Sequence, residues 1–277
     1  LQKIREEERK VLYDQYYGME KEVVTGIVQR VMGKNVSVNL GKADGILSEN
    51  EQVKGEEFEP TERIKVYILE VKDTPKGPRI LLSRTHPGLV KRLFESEVAE
   101  VKDGTVEIKS IAREAGSRTK IAVWSNDPDV DPVGACVGMN GARVNSIVEE
   151  LRGEKIDIIN WDENPAILIE NALSPAKVIA VMADPDEKTA LVVVPDYQLS
   201  LAIGKEGQNA RLAARLTGFK IDIKSETQAR ESGELYDYDD EDEYYDEEEY
   251  SEEGAVESEE TETEETEEVS EETTVEE

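Results

Sequence analysis

Gly138-Met139-Asn140-Gly141 and Gly204-Lys205-Glu206-Gly207 are two copies of one short turn. Apolar residues at helical spacing flank each: residues 133–137 and then Val144, Ile147, Val148 and Leu151 around the first, residues 199–203 and 208–216 around the second. Each is followed by the same closing stretch, Lys-Ile-Asp-Ile, beginning at Lys155 and at Lys220. A glycine at either end lets the backbone come close to another molecule, because no Cβ stands in the way. The loop glycines are 66 residues apart, and the Leu-x-Gly-x-Lys-Ile-Asp-Ile elements starting at Leu151 and Leu216 are 65 apart. One residue has therefore been gained or lost between two copies of a duplicated unit.

Outward from the loops the two copies keep one order. In the first, a helix at 88–98 carries Leu89, Val90, Leu93, Phe94 and Val98 on one face. Strands at 106–111 and 120–124, joined through Ala115-Gly116-Ser117, come before the loop, and a strand at 156–159 comes after its second helix. In the second, a helix at 165–173, strands at 177–182 and 189–194 and a closing strand at 219–223 take the same places. The linker at 160–164 is short enough that the pair is expected to pack as one rigid body. This order resembles the type II KH domain, αββααβ, whose Gly-x-x-Gly loop clamps the backbone of single-stranded nucleic acid.

That likeness assigns roles. Backbone N–H groups and a helix N-terminus would face phosphate, and an apolar groove beside them would hold bases. The candidate RNA-binding residues are Gly138, Met139, Asn140, Gly141 and Arg143 in the first copy, and Gly204, Lys205, Glu206, Gly207, Gln208, Arg211 and Arg215 in the second. Residues 204–224 carry five bases against Glu206 and Asp222, whereas the first loop contains no cation. Lys109, Arg113, Arg118 and Lys120 on the preceding hairpin are expected to support it. A single Gly-x-x-Gly is an ordinary turn, and two arginines four apart are an ordinary solvated face. Two copies in matching frames favour RNA.

Upstream, the period of the apolar residues changes from helical (1–17) to two. Short strands at 23–28, 36–40, 46–47, 64–68 and 80–82, with turns at Gly41, Gly45, Gly55 and 73–78, predict a five-stranded barrel of the OB class. Gly26-Ile27-Val28, the run from Leu40 to Leu47 and Leu82-Ser83 resemble the S1 domain. S1 barrels often stack bases on aromatics and a histidine. Here Ser37 and Ser48 stand where one aromatic and that histidine are expected, so a spacer or docking role is preferred to direct RNA contact.

The formal charge of −31 is uneven. Residues 231–277 hold 26 acidic residues and no Lys or Arg, which leaves residues 1–230 at −5. Residues 87–230 carry 18 bases and 23 acids, so RNA binding should rest on local patches and show a shallow salt slope. The tail is too poor in apolar residues to fold and reads as disordered. A sharper expectation lays it over Lys205, Arg211 and Arg215 as a competitor of RNA. One cysteine (Cys136) and one histidine (His86) exclude a disulfide framework and a Cys/His metal cluster. Cys136 reads as a small buried residue, His86 as structural, and Trp124 and Trp161 as packing residues. The second loop lacks the Gly-x-x-x-x-Gly-Lys spacing of an NTPase phosphate loop. No catalytic pair, cofactor site or metal site stands out, and no apolar run approaches the length of a membrane span.

The run from Glu107 to Val123 (Glu-Ile-Lys-Ser-Ile-Ala-Arg-Glu-Ala-Gly-Ser-Arg-Thr-Lys-Ile-Ala-Val) and the run from Asp127-Pro128 through Asp131-Pro132-Val133-Gly134-Ala135-Cys136-Val137-Gly138 are very similar to the NusA family of bacterial transcription factors. The resemblance covers residues 1–230. It implies an α+β chain: a remnant helix (1–18), an S1 barrel (19–86), two KH domains (87–160 and 161–230) and an acidic tail (231–277). It also implies a cytoplasmic, monomeric factor that binds nascent single-stranded RNA and works with RNA polymerase and other antitermination factors in pausing, termination and antitermination. The chain begins at Leu1 within a charged helical pattern and is expected to be a fragment lacking the family's amino-terminal polymerase-binding domain. The alternatives are a translation or RNA-decay factor built from the same modules, or a protein-binding scaffold.

Overall fold

The computed structural model describes residues 2–234. Residue 1 and the acidic stretch 235–277 lie outside the described residues, and with them the expectations of disorder and of a tail laid over the second loop.

Helix α1 (Gln2–Tyr17) leads into β1 (Val23–Met32), β2 (Asn35–Asn39), β3 (Asp44–Leu47), β4 (Arg63–Lys72) and β5 (Arg79–Ser83). These close a barrel in the order β1-β2-β3-β5-β4, with β3 and β5 parallel. Alternation puts Val36 and Val38, Ile64, Val66 and Ile68, and Ile80 and Leu82 into its core. Tyr16 anchors α1 there: it is 2% exposed, and its hydroxyl donates to the Leu40 carbonyl at 3.1 Å.

The first duplicated unit is α2 (Pro87–Glu97), α3 (Ala99–Lys102), β6 (Val106–Glu114), β7 (Arg118–Ser125), α4 (Pro132–Val137), α5 (Ala142–Glu150) and β8 (Lys155–Asn160). The second is α6 (Pro165–Ala172), β9 (Ala180–Asp184), β10 (Thr189–Val194), α7 (Leu199–Ile203), α8 (Gln208–Thr217) and β11 (Lys220–Ser225), followed by α9 (Glu226–Glu231). Both sheets pair alike. The middle strand is antiparallel to the strand before it and parallel to the last. Three helices, α2, α4 and α6, start with one device, a proline at the first position and a capping side chain before it. His86, Asp131 and Asn164 accept from the backbone N–H of Gly88, Val133 and Ala166.

The strand expected at 177–182 begins only at Ala180. The Lys177 N–H is taken by the Gln198 side chain, so pairing with β10 starts one turn later, with Ile179 N–H on the Val193 carbonyl. The short helices α3 and α9 carry too little periodicity to be read from sequence. The fold also runs past residue 230, because α9 takes in Glu231 and Lys224 Nζ donates to both Glu234 oxygens at 2.6 and 2.8 Å.

The domains share cores. Ala112, Ala122 and Ile159 of the first sheet lie in one apolar cluster with Leu168, Leu173, Leu212 and Leu216 of the second unit. Tyr67 of the barrel joins the core of the first unit. At that junction Arg84, 1% exposed, donates to both Glu56 oxygens at 2.6 and 2.7 Å, to the Lys65 carbonyl at 2.8 Å and to the Glu150 carbonyl at 3.1 Å. A guanidinium satisfied in this way holds barrel and KH unit together, since freeing it would leave a buried charge unpaired.

Candidate nucleic-acid interface

The two Gly-x-x-Gly loops have one backbone. Gly138 and Gly204 sit at φ, ψ of 74°, 173° and 76°, 173°. Asn140 and Glu206 follow at 53°, 27° and 54°, 26°, and Gly141 and Gly207 at 75°, 13° and 74°, 15°. Three positive φ values in four residues turn the chain sharply and aim the N-terminus of α5 or α8 at whatever the loop faces, where a negative charge is favoured. The tips are open: Met139 is 85% exposed, and the Lys205 side chain is exposed with no ion pair or hydrogen bond.

The residue two places after each loop holds it from behind. Arg143 lies against Gly138 and donates to the Ala135 carbonyl at 2.7 Å and to Glu100 at 3.0 Å. Asn209, its counterpart 66 residues on, is 6% exposed and donates to the Ala202 and Leu173 carbonyls, both at 3.0 Å. Arg143, expected as a phosphate ligand, is thus mainly a brace. Asn209 was missed by sequence reasoning, although its place in the repeat pointed to it.

The other predicted cations also have internal partners. Arg211 Nε and Nη2 donate to the two oxygens of Glu114, at 2.5 and 3.1 Å, and its Nη1 donates to the Glu206 carbonyl at 3.0 Å. Gln208 donates to Glu114 at 2.9 Å and to Ser117 at 2.7 Å, and Arg215 lies 3.7 Å from Glu114. Glu114 ends β6, so the first unit's hairpin neutralises the helix that leaves the second unit's loop. The hydrogen bond from Arg211 holds the Glu114 carboxyl below its ordinary range despite partial burial. Lys205 alone among the predicted cations carries an uncommitted charge.

The four residues expected to support the first loop, Lys109, Arg113, Arg118 and Lys120, all have partners within the fold. Arg113 and Glu154 form a bidentate pair, 1% and 0% exposed, with both bonds at 2.9 Å. Burial alone would raise the Glu154 carboxyl, but Arg113, the Thr119 hydroxyl and the Gly116 N–H hold it below its ordinary value. Lys120, fully buried, donates to the Ser174 carbonyl at 2.8 Å and lies 3.1 Å from Asp157; burial lowers its pKa. Arg118 grips Asp157 at 2.6 and 2.9 Å. Lys109 lies 2.5 Å from Glu107 and over the Trp161 ring. For Arg118 and Lys120 the reason is register, because Asp157 of β8 lies opposite Lys120 of β7, within reach of both cations.

Beside the second loop, Leu201 and Ile203 of α7 are 44% and 37% exposed, and α7 packs against β11. Exposed apolar residues next to a loop cation suit unstacked bases. On the barrel, Ser37 is 6% exposed and donates to Gln29, and Ser48 precedes a single 3-10 turn, so neither offers a stacking surface. His86 stacks on Tyr67 at 4.7 Å, and Trp124 meets Trp161 edge-on at 5.7 Å. Cys136 is fully buried, and burial pushes its thiol up to about 11. Among the described residues there is no cluster able to hold a metal ion and no helix long and apolar enough to cross a membrane.

Comparison with known proteins agrees with this arrangement. Residues 18–83 match the S1 RNA binding domain, residues 84–161 the NusA-like first KH domain and residues 165–231 the NusA-like second KH domain. The transcription termination/antitermination protein NusA of Bacillus subtilis is 61% identical over 84% of this chain and 62% of its own length. That of Halalkalibacterium halodurans is 58% identical over 85% and 62%, and that of Mycobacterium bovis 49% identical over 82% and 68%. The chain therefore spans a little over three-fifths of the length of its first two relatives. With an S1 barrel and both NusA-like KH units in order, and 49–61% of the residues shared with these relatives across most of its length, this chain belongs to the NusA family.

Proposed function

We propose that the chain is the RNA-binding body of a transcription termination/antitermination factor. In this reading it holds nascent single-stranded RNA along its paired KH units while associated with RNA polymerase, as a cytoplasmic monomer without catalytic activity. The observation that supports it best is the repeated loop: two backbones matching within about 2° at its first, third and fourth residues, each leading into a helix N-terminus. The relatives' shared name supports a role in transcription rather than in translation or RNA decay. The barrel, bolted to the first KH unit through Arg84 and without stacking residues at Ser37 and Ser48, fits a docking or spacing part.

The test is the paired substitution Lys205→Asp and Glu206→Asp. Both side chains are exposed, so melting should not move. Binding of a single-stranded RNA should fall at least tenfold, because two carboxylates then face the phosphates. Unchanged binding would reject RNA capture by the second loop and favour the scaffold reading.

A further inference from the structure

Tyr197 is the most exposed aromatic side chain among the described large hydrophobics, at 78%, and nothing in the fold uses its ring. Its backbone, by contrast, is fixed on both sides. The Asp196 carboxylate accepts from the Thr227 N–H at 3.1 Å and from the Thr227 hydroxyl at 2.6 Å. The Gln198 side chain accepts the Lys177 N–H at 3.2 Å. Residues 196–198 form a 3-10 turn that runs directly into α7, so Tyr197 stands one turn before Leu201, and the loop that carries Lys205 begins where α7 ends at Gly204. From start to end this stretch carries an exposed ring, a 44% exposed leucine and then the free cation of the second loop.

We infer that Tyr197 is a base-stacking residue that extends the second KH site by one helical turn beyond the Gly-x-x-Gly clamp, its ligand a nucleobase of single-stranded RNA. The inference rests on the RNA-binding reading above. The occupant follows from continuity and spacing. A strand whose phosphate lies at the loop of Lys205 would, on continuing along α7, pass Leu201 and reach Tyr197. Four helical residues rise about 6 Å, against roughly 3.4 Å between bases stacked in one strand of a duplex. Successive bases laid on Leu201 and Tyr197 must therefore be unstacked from each other, which a single strand permits and a duplex does not. An aromatic ring on a pre-set backbone then stacks a base of any identity with little ordering cost.

The same place in the first unit, 66 residues earlier, is Asp131, whose carboxylate caps α4 through the Val133 N–H. Leu201 is likewise replaced there by Ala135. A carboxylate gives no stacking and repels the phosphates, so the extension belongs to the second unit alone. The duplication has thus produced one short site and one longer site.

The test uses the whole chain, single-stranded RNA oligonucleotides and a scan in which each nucleotide in turn is made abasic. Tyr197→Ser should weaken binding about fivefold or more, the effect of losing one base stack, while Tyr197→Phe stays near wild type. One abasic position should cost wild type a similar factor and cost Tyr197→Ser nothing. Melting should be the same for all three proteins, because the ring contacts nothing. If Tyr197→Ser binds every oligonucleotide as wild type does, or if all abasic positions weaken it as they weaken wild type, the stacking role is overturned. The paired Lys205→Asp and Glu206→Asp protein separates the two readings. If it binds as wild type, the loop reading fails; if it loses binding while Tyr197→Ser keeps it, only the extension fails.

Discussion

Replacing Glu114 with glutamine should strengthen RNA binding, although it removes a well-formed bridge between the two KH units. Glu114 receives hydrogen bonds from Arg211 at 2.5 and 3.1 Å and from Gln208 at 2.9 Å, and lies 3.7 Å from Arg215. A phosphate bound on the outer edge of the Arg211 guanidinium would sit roughly 7 Å from that carboxylate. At this distance and an effective dielectric of about 40–80, repulsion between unit charges is about 0.6–1.2 kcal/mol. Glutamine keeps an acceptor for Arg211 and removes the charge, so affinity should rise about three- to sevenfold. The released arginines should also steepen the salt dependence, by about 0.7 in log–log slope for each added phosphate contact on a single strand. The bridge itself adds little to stability, since Arg211 and Arg215 are 43% and 54% exposed and solvent screens them. Its loss should leave the melting temperature nearly unchanged. Fluorescence anisotropy with a labelled single-stranded RNA at three salt concentrations, together with a thermal melt, measures both effects. Affinity equal to or below wild type would refute the reasoning and make Glu114 a support of the binding surface instead of a rival for its cations.

Two further outcomes follow from the framework. Arg113→Met leaves Glu154 charged and buried, and should cost about 3–5 kcal/mol in denaturant unfolding, much of it recovered in the Arg113→Met, Glu154→Leu double variant. Because the folded-state pKa of Glu154 is depressed, its stabilisation is complete above the unfolded value of 4.5 and is lost as pH falls through the folded value; wild-type stability should therefore drop below about pH 4.5, and less so in the double variant. The loop glycines should respond unequally to alanine. Both have positive φ, costing roughly 1–3 kcal/mol, but a Cβ at Gly204 would lie 2.8 Å from the Asn209 backbone nitrogen, whereas at Gly138 it meets the Arg143 side chain at 2.7 Å, which can shift. Gly204→Ala should thus lose more RNA affinity and more stability than Gly138→Ala; equal losses would show that the braces behind the two loops are equivalent.

The repeat was legible because backbone demands write themselves into residue type. Only glycine is at ease at the first and last φ of each loop, and X-Pro at 86–87, 131–132 and 164–165 marks three helix starts. The barrel was legible from its period of two. Charge was not. Arg113, Arg118 and Lys120 look like an RNA-binding row along the hairpin, and nothing local shows that Glu154 and Asp157 reach them across 37 to 41 residues. The same blindness made Arg211 and Arg215 seem available, because Glu114 lies 97 residues from Arg211 in the chain and in hydrogen-bond contact with it in the fold. Side-chain type reveals that a cation is present; only tertiary structure reveals whether it is already spent.

The apolar cluster that runs from Ala112 and Ala122 into Leu168 and Leu212, closed by the Lys120 bond to Ser174, turns the two loops into the fixed jaws of a gauge. Two domains on a flexible tether would accept RNA of many lengths, each with its own loop-closure entropy, and affinity would climb gradually with length. Jaws at a set separation behave differently. An RNA too short to span them gains nothing from the second, and the first length that does span them collects its full contribution without any cost of ordering the protein. If the loops hold RNA as proposed, the length of an exposed stretch would then count before any base is read.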